Sequence, residues 1–422
     1  MNDGNVITIL GSGGGAAKSF LSLLNKAITD QHDPIFQKIS NSTFHLIDYK
    51  QKPITYYQNI CPHLFNQLTF HQFDLKDTIR FKNHLIKSKT SIVIDVSRSD
   101  TVEMLDCCNL LGVHYVNTAM ENHYIDDHRD AFKGFPLIER FRYFEKYKED
   151  YTNLKAIICS GMNPGVVQWM AIELMKTNPD ELPLACFIVE EDTSFYKDPK
   201  KAKEKVVYTT WSPEGFLDEA IHSYPMFMKN KTPLSLYEQV YALDFRVTLG
   251  DKQFNGCLMP QEEVYTLGKL FDMEGGFIYK VNDHSTDLIR NNLDHLDKIW
   301  GFERKVLDPQ ESPLDGEDLV GVLLVYSDKE RFMYNVVSND FSFSRYKTIA
   351  TYFQVACGLY AALAVLINDT IPNGVFFVDE LLLKTNNHYG KYLTYYMTNF
   401  VTGENKQTDG LLLERMKNLR SN

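Results

Sequence analysis

The chain has 422 residues, of which 44% are apolar and 23% charged, a composition typical of a globular protein with two or three domains. Its 55 acidic residues outnumber its 44 basic ones, and the formal charge of −11 argues against a nucleic-acid partner, whose phosphates would be repelled. Seven scattered cysteines without a CxxC pair, and an N-terminus without a signal-peptide pattern, predict a cytoplasmic protein without disulfides or a metal site.

The first fifty residues have the pattern of strand, glycine-rich loop, helix and strand. Val6–Leu10 and Thr43–Asp48 are short runs suited to strands buried on both faces. Between them, a Gly-x-Gly-x-x-Ala sequence stands where a dinucleotide fingerprint would, after a strand and at the start of a helix. The glycines allow a tight turn and close approach of backbone to a pyrophosphate, which the helix N-terminus attracts. The predicted cofactor-binding residues are Gly11, Gly13, Gly14, Gly15 and Ala16.

Two carboxylates at strand ends extend this predicted site. Asp48 ends the second strand, where it can accept hydrogen bonds from ribose hydroxyls and repel a 2′-phosphate, which favours NAD over NADP. Lys50 nearby weakens that preference, and a solvated strand end is the alternative for Asp48. Asp95 and Ser97 follow the fourth predicted strand, in the crevice where open α/β sheets bind ligands.

The rest of the chain divides into three parts. Further strand-like runs at 68–73, 91–96, 113–117 and 156–159 alternate with helical stretches, which predicts a Rossmann-type parallel-sheet α/β domain over residues 1–180. Irregularly spaced strands in residues 181–346 predict an inserted α+β domain with a mixed sheet, for substrate binding and dimerisation. Residues 347–422 are predicted to be helices that return to the first domain. The uncharged run 349–367 is predicted to be a buried helix between domains rather than a membrane span.

A Gly-Met-Asn-Pro-Gly turn at 161–165 lies between a strand and a helix. Asn163 has the position of a helix cap, and Pro164 that of the first helical residue. The same geometry aims an amide and backbone N–H groups at whatever lies above the sheet. Both interpretations stay open, because a cap can also contact a ligand.

One of only three tryptophans stands beside three carboxylates within nine positions, from Trp211 through Glu214 and Asp218 to Glu219. An indole face and nearby carboxylates attract ammonium groups through cation–π and Coulomb interactions. The alternative is a core tryptophan followed by an acidic helix N-terminus, which the helix dipole favours.

Taken together, these motifs resemble the bacterial homospermidine synthases of the saccharopine dehydrogenase-like group. The resemblance runs from near the N-terminus to about residue 381. Its most specific element is the Trp-Ser-x-Glu-Gly-Phe sequence at 211–216, and its least specific is the glycine loop. Other shared segments are the Gly-x-Asn-Pro-Gly turn, Glu190-Glu191-Asp192-Thr193, Gln253-Phe254-x-Gly256, residues 315–324, the helix at 351–367 and Phe377-Val378-Asp379-Glu380.

The resemblance implies a homodimeric enzyme that oxidises a diamine such as putrescine to an imine, exchanges amines and reduces the new imine with the same NAD. It implies cation–π contact with substrate at Trp211, ammonium recognition at Glu190 and Glu219, and Asn163 close to the reacting amine and the nicotinamide. Glu214 is a further substrate-binding candidate. The chemistry agrees, because only a carbon bearing a neutral amine gives up hydride, while the distal ammonium needs an anchoring carboxylate.

Two positions depart from the family pattern. The family's Tyr-His-Pro is replaced by Tyr279-Lys280-Val281, so Lys280 is either a catalytic acid/base with a lowered pKa or a group that repels a diamine. His284, four residues on, is the candidate substitute. The family's Glu-Pro-Trp is replaced by Glu121-Asn122-His123, which removes an aromatic wall.

Two rival functions stay open. The first is a single-step reductase of the saccharopine or carboxyspermidine dehydrogenase type, which joins an amine to a carbonyl compound and needs a cation such as Lys280 or Arg98 for a carboxylate. The second is an NAD-binding protein without turnover.

Overall fold

The chain folds around two large β-sheets, as a computed structural model of residues 4–419 shows. The strands of the N-terminal part are β1 (Val6–Leu10), β2 (Thr43–Asp48), β3 (Leu68–Gln72), β4 (Ile92–Asp95), β5 (His114–Asn117) and β6 (Lys155–Ile158). The helices that alternate with them are α1 (Gly15–Ala27), α2 (Phe36–Ser40), α3 (Ile54–Ile60), α4 (Thr78–Ser88), α5 (Thr101–Leu111), α6 (His123–Asp127), α7 (Pro136–Phe144) and α8 (Val166–Lys176).

The middle part is richer in strands. Its strands are β7 (Ala185–Asp192), β8 (Phe195–Tyr196), β9 (Val206–Thr209), β10 (Met226–Lys229), β11 (Thr232–Ser235), β12 (Leu243–Leu249), β13 (Lys252–Met259), β14 (Glu274–Lys280), β15 (Glu303–Val306), β16 (Leu314–Asp315), β17 (Glu317–Val325) and β18 (Glu330–Ser338). Its α-helices are α9 (Pro213–Leu217), α10 (Glu262–Leu270), α11 (Asp283–Arg290) and α12 (Asn339–Tyr346).

The C-terminal part contributes to both sheets. Its elements are α13 (Ala350–Asn368), β19 (Gly374–Phe377), α14 (Val378–Lys384), α15 (Tyr389–Tyr396), β20 (Val401–Asn405), α16 (Leu412–Arg415) and β21 (Met416–Asn418). β19 pairs with β6 in the first sheet, whereas β20 pairs with β18 and β21 with β12 in the second. The C-terminal part thus adds one strand to the first sheet and two to the second. β20 and β21 are short, polar edge strands, and their sequences lack the apolar alternation that marks a strand.

The first sheet is a parallel Rossmann-type sheet. Its strand order is β3-β2-β1-β4-β5-β6-β19, with seven strands. The order reverses between β1 and β4, and open α/β sheets bind ligands in the crevice at such a switch point. The predicted α/β fold class is confirmed, and the predicted strands β1 and β2 agree to the residue.

The second sheet is mixed, as predicted. Its order is β20-β18-β17-β7-β14-β13-β12-β21, and β10 and β11 extend it beside β14. Within this sheet β7 and β14 are parallel, and the neighbouring pairs β7–β17 and β13–β14 are antiparallel. The register places Glu190 directly beside Tyr279, and Glu191 directly beside Lys280.

The helix α13 connects the two halves of the molecule. Within residues 4–419 it is the one helix long and apolar enough to cross a membrane, but 83% of its most apolar window is buried inside the fold. Gly358 of this helix lies so close to the Gly161 turn that an added Cβ would meet the Gly161 carbonyl oxygen at 2.0 Å. Near its N-terminus, the Tyr352 ring lies against Gly15, with a ring carbon 2.0 Å from the place of a Cβ. Helix α13 thus packs on the two loops that frame the crevice.

Candidate functional site

The crevice opens where β1 and β4 diverge. Gly11 has a φ of +71°, and a Cβ there would lie 2.8 Å from the Ser97 Cα, so this position requires glycine. Opposite, the buried Asp95 carboxylate accepts hydrogen bonds from the Ser97 backbone N–H at 2.9 Å and its hydroxyl at 2.6 Å. The Tyr115 hydroxyl donates to the same carboxylate at 2.8 Å. Asp95 is therefore a positioning residue for the Ser97 loop, and the prediction that it contacts the cofactor is not supported, because its oxygens face inward.

The outer part of the crevice is a cavity of about 650 Å³. Asp48 lies on its wall and accepts hydrogen bonds from the Gly13 N–H at 2.8 Å and the Lys50 N–H at 2.9 Å. Lys50, Lys52 and Asp74 line the same cavity. We call this cavity the nucleotide end of the crevice.

The start of α1 has the features that a diphosphate needs. No side chain caps this helix at Gly14, so its first backbone N–H groups are left for another partner. A Cβ at Gly13 would lie 3.1 Å from the Asp48 carboxylate, so glycine lets the loop approach the end of β2 closely. The carboxylate at the end of β2 suits ribose hydroxyls. The residues present therefore fit a dinucleotide.

A second cavity, of about 330 Å³, continues from the nucleotide end, and we call it the chamber. The two cavities share Gly14, Val96, Ser97 and Arg98. Its walls come from both sheets, from α13 and from the 161–164 turn, which contributes Asn163 and Pro164 to the lining. Gly15 and Ala16 line it as well. The chamber thus lies directly beside the glycine loop.

Acidic side chains dominate the chamber. The five carboxyl groups in its lining are Glu121, Glu190, Asp218, Glu219 and Glu262. Against these stand the guanidinium groups of Arg98 and Arg140. Arg140 forms an ion pair with Asp126 at 2.6 Å, and Arg98 lies 3.7 Å from the same carboxylate and 3.9 Å from Glu121. Both guanidinium groups thus have acidic neighbours, and carboxyl groups outnumber guanidinium groups in the lining by five to two.

Burial changes the protonation of these carboxyl groups. It raises the pKa of Glu219 and Glu262 above the ordinary value, and it raises that of Glu121 to about 7. The pKa of Glu190 is also raised, first by burial and then by the negative charges of Asp318 and Asp192. A raised pKa favours the protonated, neutral form of a carboxyl group, and a nearby cation stabilises the ionised form.

Two of the carboxylates are oriented by amide side chains. The Asn163 amide donates to Glu190 Oε2 at 2.5 Å, and the Gln261 amide donates to Glu219 Oε2 at 2.9 Å. Asn163 and Glu190 are predicted site residues from distant parts of the sequence, and the structure places them in direct contact. This contact links the 161–165 turn of the first sheet to β7 of the second.

Trp211 lies on the chamber wall, half-buried. Its indole Nε1–H donates to the Tyr279 hydroxyl at 3.3 Å. A Cβ at Gly215 would lie 3.0 Å from the indole ring, so this glycine lets helix α9 approach the tryptophan closely. Trp211 also packs against the hydrophobic core, and Ser212 caps α9 with Glu214 in its first turn, so the alternative of a core tryptophan before an acidic helix N-terminus stays open.

A buried carboxyl cluster lies behind Glu190, formed by Glu190, Asp192 and Asp318. Asp192 accepts hydrogen bonds from the Thr210 hydroxyl at 2.5 Å and the Ser194 N–H at 2.9 Å. Asp318 accepts a hydrogen bond from the Thr351 hydroxyl at 2.6 Å, and its other oxygen has no hydrogen-bond partner. Three carboxyl groups this close cannot all be ionised without a counter-charge.

Three predicted site residues lie outside the chamber lining. Lys280 pairs with Glu191 at 3.1 Å and with Asp283 at 3.8 Å. Side chains alternate along a strand, so Lys280 lies on the opposite face of β14 from Phe277, which lines the chamber. This position does not support Lys280 as a catalytic group.

Glu214 and His284 are also turned away. Glu214 lies 3.8 Å from Arg304, and its side chain is 42% exposed. The His284 ring stacks on Phe195, and its Nε2 lies 3.2 Å from the Val206 carbonyl oxygen. Neither residue lines the chamber, so their predicted contact with substrate is not supported.

Sequence reasoning missed several chamber residues. Glu121 follows β5, and a carboxylate just beyond a strand of the parallel sheet is the signal that could have identified it. Asp218, by contrast, belongs to the acidic stretch that the sequence singles out after Trp211, and it pairs with Arg129 at 3.0 Å. Glu262 and Arg140 come from helices with no motif, and only the tertiary fold brings them to the site.

The fold and the crevice together define a Rossmann-type α/β protein with a second, mixed-sheet domain closing an acidic chamber. No family model and no curated protein matches the chain. Similar solved chains include a dTDP-glucose 4,6-dehydratase from Bacillus anthracis in complex with NAD, at 8% identity over 44% of this chain and 66% of that chain, with a TM-score of 0.27.

Two further similar chains were also solved as complexes with a nicotinamide dinucleotide. A UDP-glucose 4-epimerase from Brucella ovis in complex with NAD has 13% identity over 36% of this chain and 50% of that one, with a TM-score of 0.25. A leucoanthocyanidin reductase from Vitis vinifera in complex with NADPH has 8% identity over 36% and 49%, with a TM-score of 0.24. The chain thus spans about half to two thirds of the solved chains it matches. The likeness is faint, and the fold assignment follows from the strand order itself.

Proposed function

We propose that the protein binds NAD in the crevice and a positively charged amine in the chamber, and that it catalyses oxidation and reduction at an amine-bearing carbon. The observation that carries this proposal is that five carboxyl groups and the Trp211 indole line one chamber, next to the glycine loop. Ammonium groups are the ligands that buried carboxylates and an indole face recognise together.

The nucleotide end supplies the groups for NAD. Asp48 suits the hydroxyls of the adenosine ribose, and the N-terminus of α1 suits the diphosphate. When bound, NAD supplies a nicotinamide ring that takes up and returns a hydride. The protein's own contribution is to bind, orient and deprotonate the amine beside it.

Within the chamber, the carboxyl groups have two different tasks. Glu190 and Glu219, each held by an amide donor, anchor the distal ammonium of a diamine. Glu121 has a pKa of about 7, which suits a general base that takes the proton from the reacting ammonium and leaves a neutral nitrogen. Water must also be excluded from the chamber, because an imine formed there would otherwise hydrolyse.

The specific reaction we propose is that of a homospermidine synthase: NAD oxidises putrescine to an imine, a second putrescine displaces ammonia to form a new imine, and the NADH formed in the first step reduces that imine to homospermidine. The sequence resemblance supports this choice of substrate, and the acidic chamber supports a dicationic one. The net reaction is a transfer, because the electrons removed in the first step return in the last.

The test is an incubation of the NAD-loaded protein with putrescine deuterated at the carbons that bear nitrogen. Homospermidine that retains the transferred deuterium, formed without added reductant, is the expected product by mass spectrometry. A Glu219→Gln variant that still binds NAD is the control and should give little product. No polyamine product from the wild-type protein would overturn the homospermidine synthase proposal.

A second candidate is a reductase that joins an amine to a keto acid. The observation that favours it is the presence of Arg98 and Arg140 in the chamber lining, since guanidinium groups bind carboxylates. It predicts product only when NADH or NADPH and a keto acid are added. The same mass-spectrometric assay separates the two candidates, because the first needs no external reductant.

A further inference from the structure

Three histidines form a cluster on the first sheet, outside the crevice. His45 lies on β2, His71 on β3 and His84 on α4. One ring nitrogen from each lies within 4.8 Å of the others. Among residues 4–419, no other three His, Cys, Asp or Glu side chains bring their possible ligand atoms this close together. The sequence separations of 26 and 13 positions match no short metal-binding motif, so the fold alone brings the rings together.

Strand register explains why two of the rings meet. His45 pairs with Thr69, and Ile47 pairs with His71. Because residues two apart share a face of a strand, His45 and His71 lie diagonally on one face of the sheet, within reach of each other. Helix α4 follows β3 and passes over this face, and it adds the third ring. His45 Nδ1 and His71 Nε2 lie 2.8 Å apart, and the rings of His71 and His84 have centroids 4.5 Å apart.

The surroundings of the rings suit a divalent metal. The three rings line an open groove, so a water molecule can reach a fourth position. His84 Nε2 lies 3.4 Å from the Thr8 hydroxyl, which in turn lies 2.7 Å from that of Thr90. Metal-binding histidines are oriented by such outer hydrogen bonds.

A divalent metal binds imidazoles in their neutral form, through the lone pair of one ring nitrogen each. Tetrahedral zinc holds its nitrogen ligands about 2.0 Å from the metal, and thus roughly 3.3 Å from one another. His45 Nδ1 and His71 Nε2 form a hydrogen bond at 2.8 Å, so a metal would replace this hydrogen bond and separate the two nitrogens by about 0.5 Å.

We propose that His45, His71 and His84 form a three-histidine site for a divalent transition metal, with zinc as the best match and a water or an oxygen ligand in the fourth position. The metal would clamp β2, β3 and α4 together. The site is independent of the chamber. Phe73, which lines both the groove and the nucleotide end, lies between them.

The experiment uses the full chain after removal of metals with a chelator. Calorimetric titration with zinc sulfate should show about one equivalent bound, and His71→Gln should weaken the affinity at least about 100-fold. His63→Gln removes an exposed imidazole elsewhere and is the matched control, which should bind like the wild type. Equal zinc affinity in the wild type and the His71→Gln variant would overturn the proposal.

A second measurement needs no variant. Cobalt(II) added to the metal-free wild type should give the intense visible absorption of a tetrahedral ion, and the addition of zinc should remove it. Weak absorption typical of an octahedral aqua ion would mean that the three rings only pack and hydrogen-bond with one another, and it would overturn the proposal. Both outcomes are independent of amine or NAD chemistry.

Discussion

The two ends of the crevice, the nucleotide end and the chamber, present different chemical groups to a ligand. The nucleotide end is formed by the glycine loop at Gly11–Gly14 and by segments at the ends of the neighbouring strands, such as Asp48 at the end of β2 and Ser97 after β4. The chamber is made of side chains from both sheets, several of them buried carboxyl groups. The nucleotide end uses backbone N–H groups and the N-terminus of a helix, whereas the chamber uses buried carboxyl groups whose ionised form a bound cation would stabilise.

This difference separates general binding from specificity. A backbone loop recognises a diphosphate whatever the rest of the ligand is. The chamber recognises charge, spacing and shape, because its carboxylates are fixed by partners such as Asn163 and Gln261. Mutations at the two ends should therefore affect NAD and amine separately.

The largest effect is expected at the nucleotide end, from Gly11→Val. The positive φ of +71° disfavours valine, and the new Cβ would meet the Ser97 backbone at 2.8 Å. NAD affinity should fall at least about 100-fold, which is roughly 2.7 kcal/mol, as measured by calorimetry. Gly301→Ala is the control, because nothing lies within 4 Å of its Cβ position. Unchanged NAD binding in Gly11→Val would mean that the dinucleotide lies elsewhere.

The next largest effect is expected in the chamber, from Trp211→Ala. Loss of a partly desolvated cation–π contact of about 2 kcal/mol should raise the KM for the amine about 30-fold. NAD affinity should stay within about 2-fold of the wild type, as checked by calorimetry. Trp300→Ala, which removes an indole outside the chamber lining, is the control. Equal losses in amine use and NAD binding would mean that Trp211 only supports the fold.

A moderate effect is expected from pH. Since burial raises the pKa of Glu190 and Glu219, the empty chamber holds protons that a diamine must displace. Diamine affinity should therefore rise with pH, by up to about 10-fold per pH unit for each proton released, until the diamine itself loses charge. Calorimetry in two buffers of different ionisation enthalpy measures the protons directly. Binding without proton release would contradict the raised pKa values.

The same linkage has a consequence for stability. The pKa of Glu121 is raised from 4.5 to about 7 by burial, so its protonated form favours the folded state. The free energy of unfolding should therefore fall as the pH rises through this window. Glu121→Gln should flatten that dependence in thermal unfolding of the metal- and ligand-free protein. An identical slope in the variant would exclude Glu121 as its source.

The smallest effect is expected from Lys280→Met. Its ammonium pairs with Glu191 at a partly exposed position, and such pairs contribute about 0–1 kcal/mol. Because Lys280 lies outside the chamber lining, turnover in a steady-state assay should change by less than about 2-fold. If turnover instead fell by roughly two orders of magnitude while NAD binding stayed intact, the catalytic role that the sequence predicts would be restored.

Much of the first domain can be predicted from the sequence, because its strands are short β-branched runs between helices and its glycine loop is local. The second domain is harder. β14 contains Gly275 and Gly276 and lacks the pattern of a strand, although it is central in the sheet. Without that strand, the sequence does not tell on which face Lys280 lies, and only the family resemblance places this residue in the site.

The chamber is predictable from the sequence only in part, because the packing of the two sheets brings some of its residues together. Trp211, Glu219, Glu190 and Asn163 stand out from local patterns or from the resemblance, and all four line it. Glu262 and Arg140 lie on helices whose sequences carry no chemical motif, so only the packing of the two sheets reveals them. The three-histidine cluster depends on strand register, which sequence patterns do not supply.

The most direct test of the account is a calorimetric titration of putrescine into the NAD-loaded protein, in parallel with a double variant, Glu190→Gln with Glu219→Gln. We expect about one equivalent of putrescine to bind the wild type, and the double variant to bind at least about 100-fold more weakly. The uncharged analogue 1,4-butanediol should not bind either protein. Equal putrescine affinity in the two proteins, or none in the wild type, would contradict an acidic amine-binding chamber beside the dinucleotide crevice.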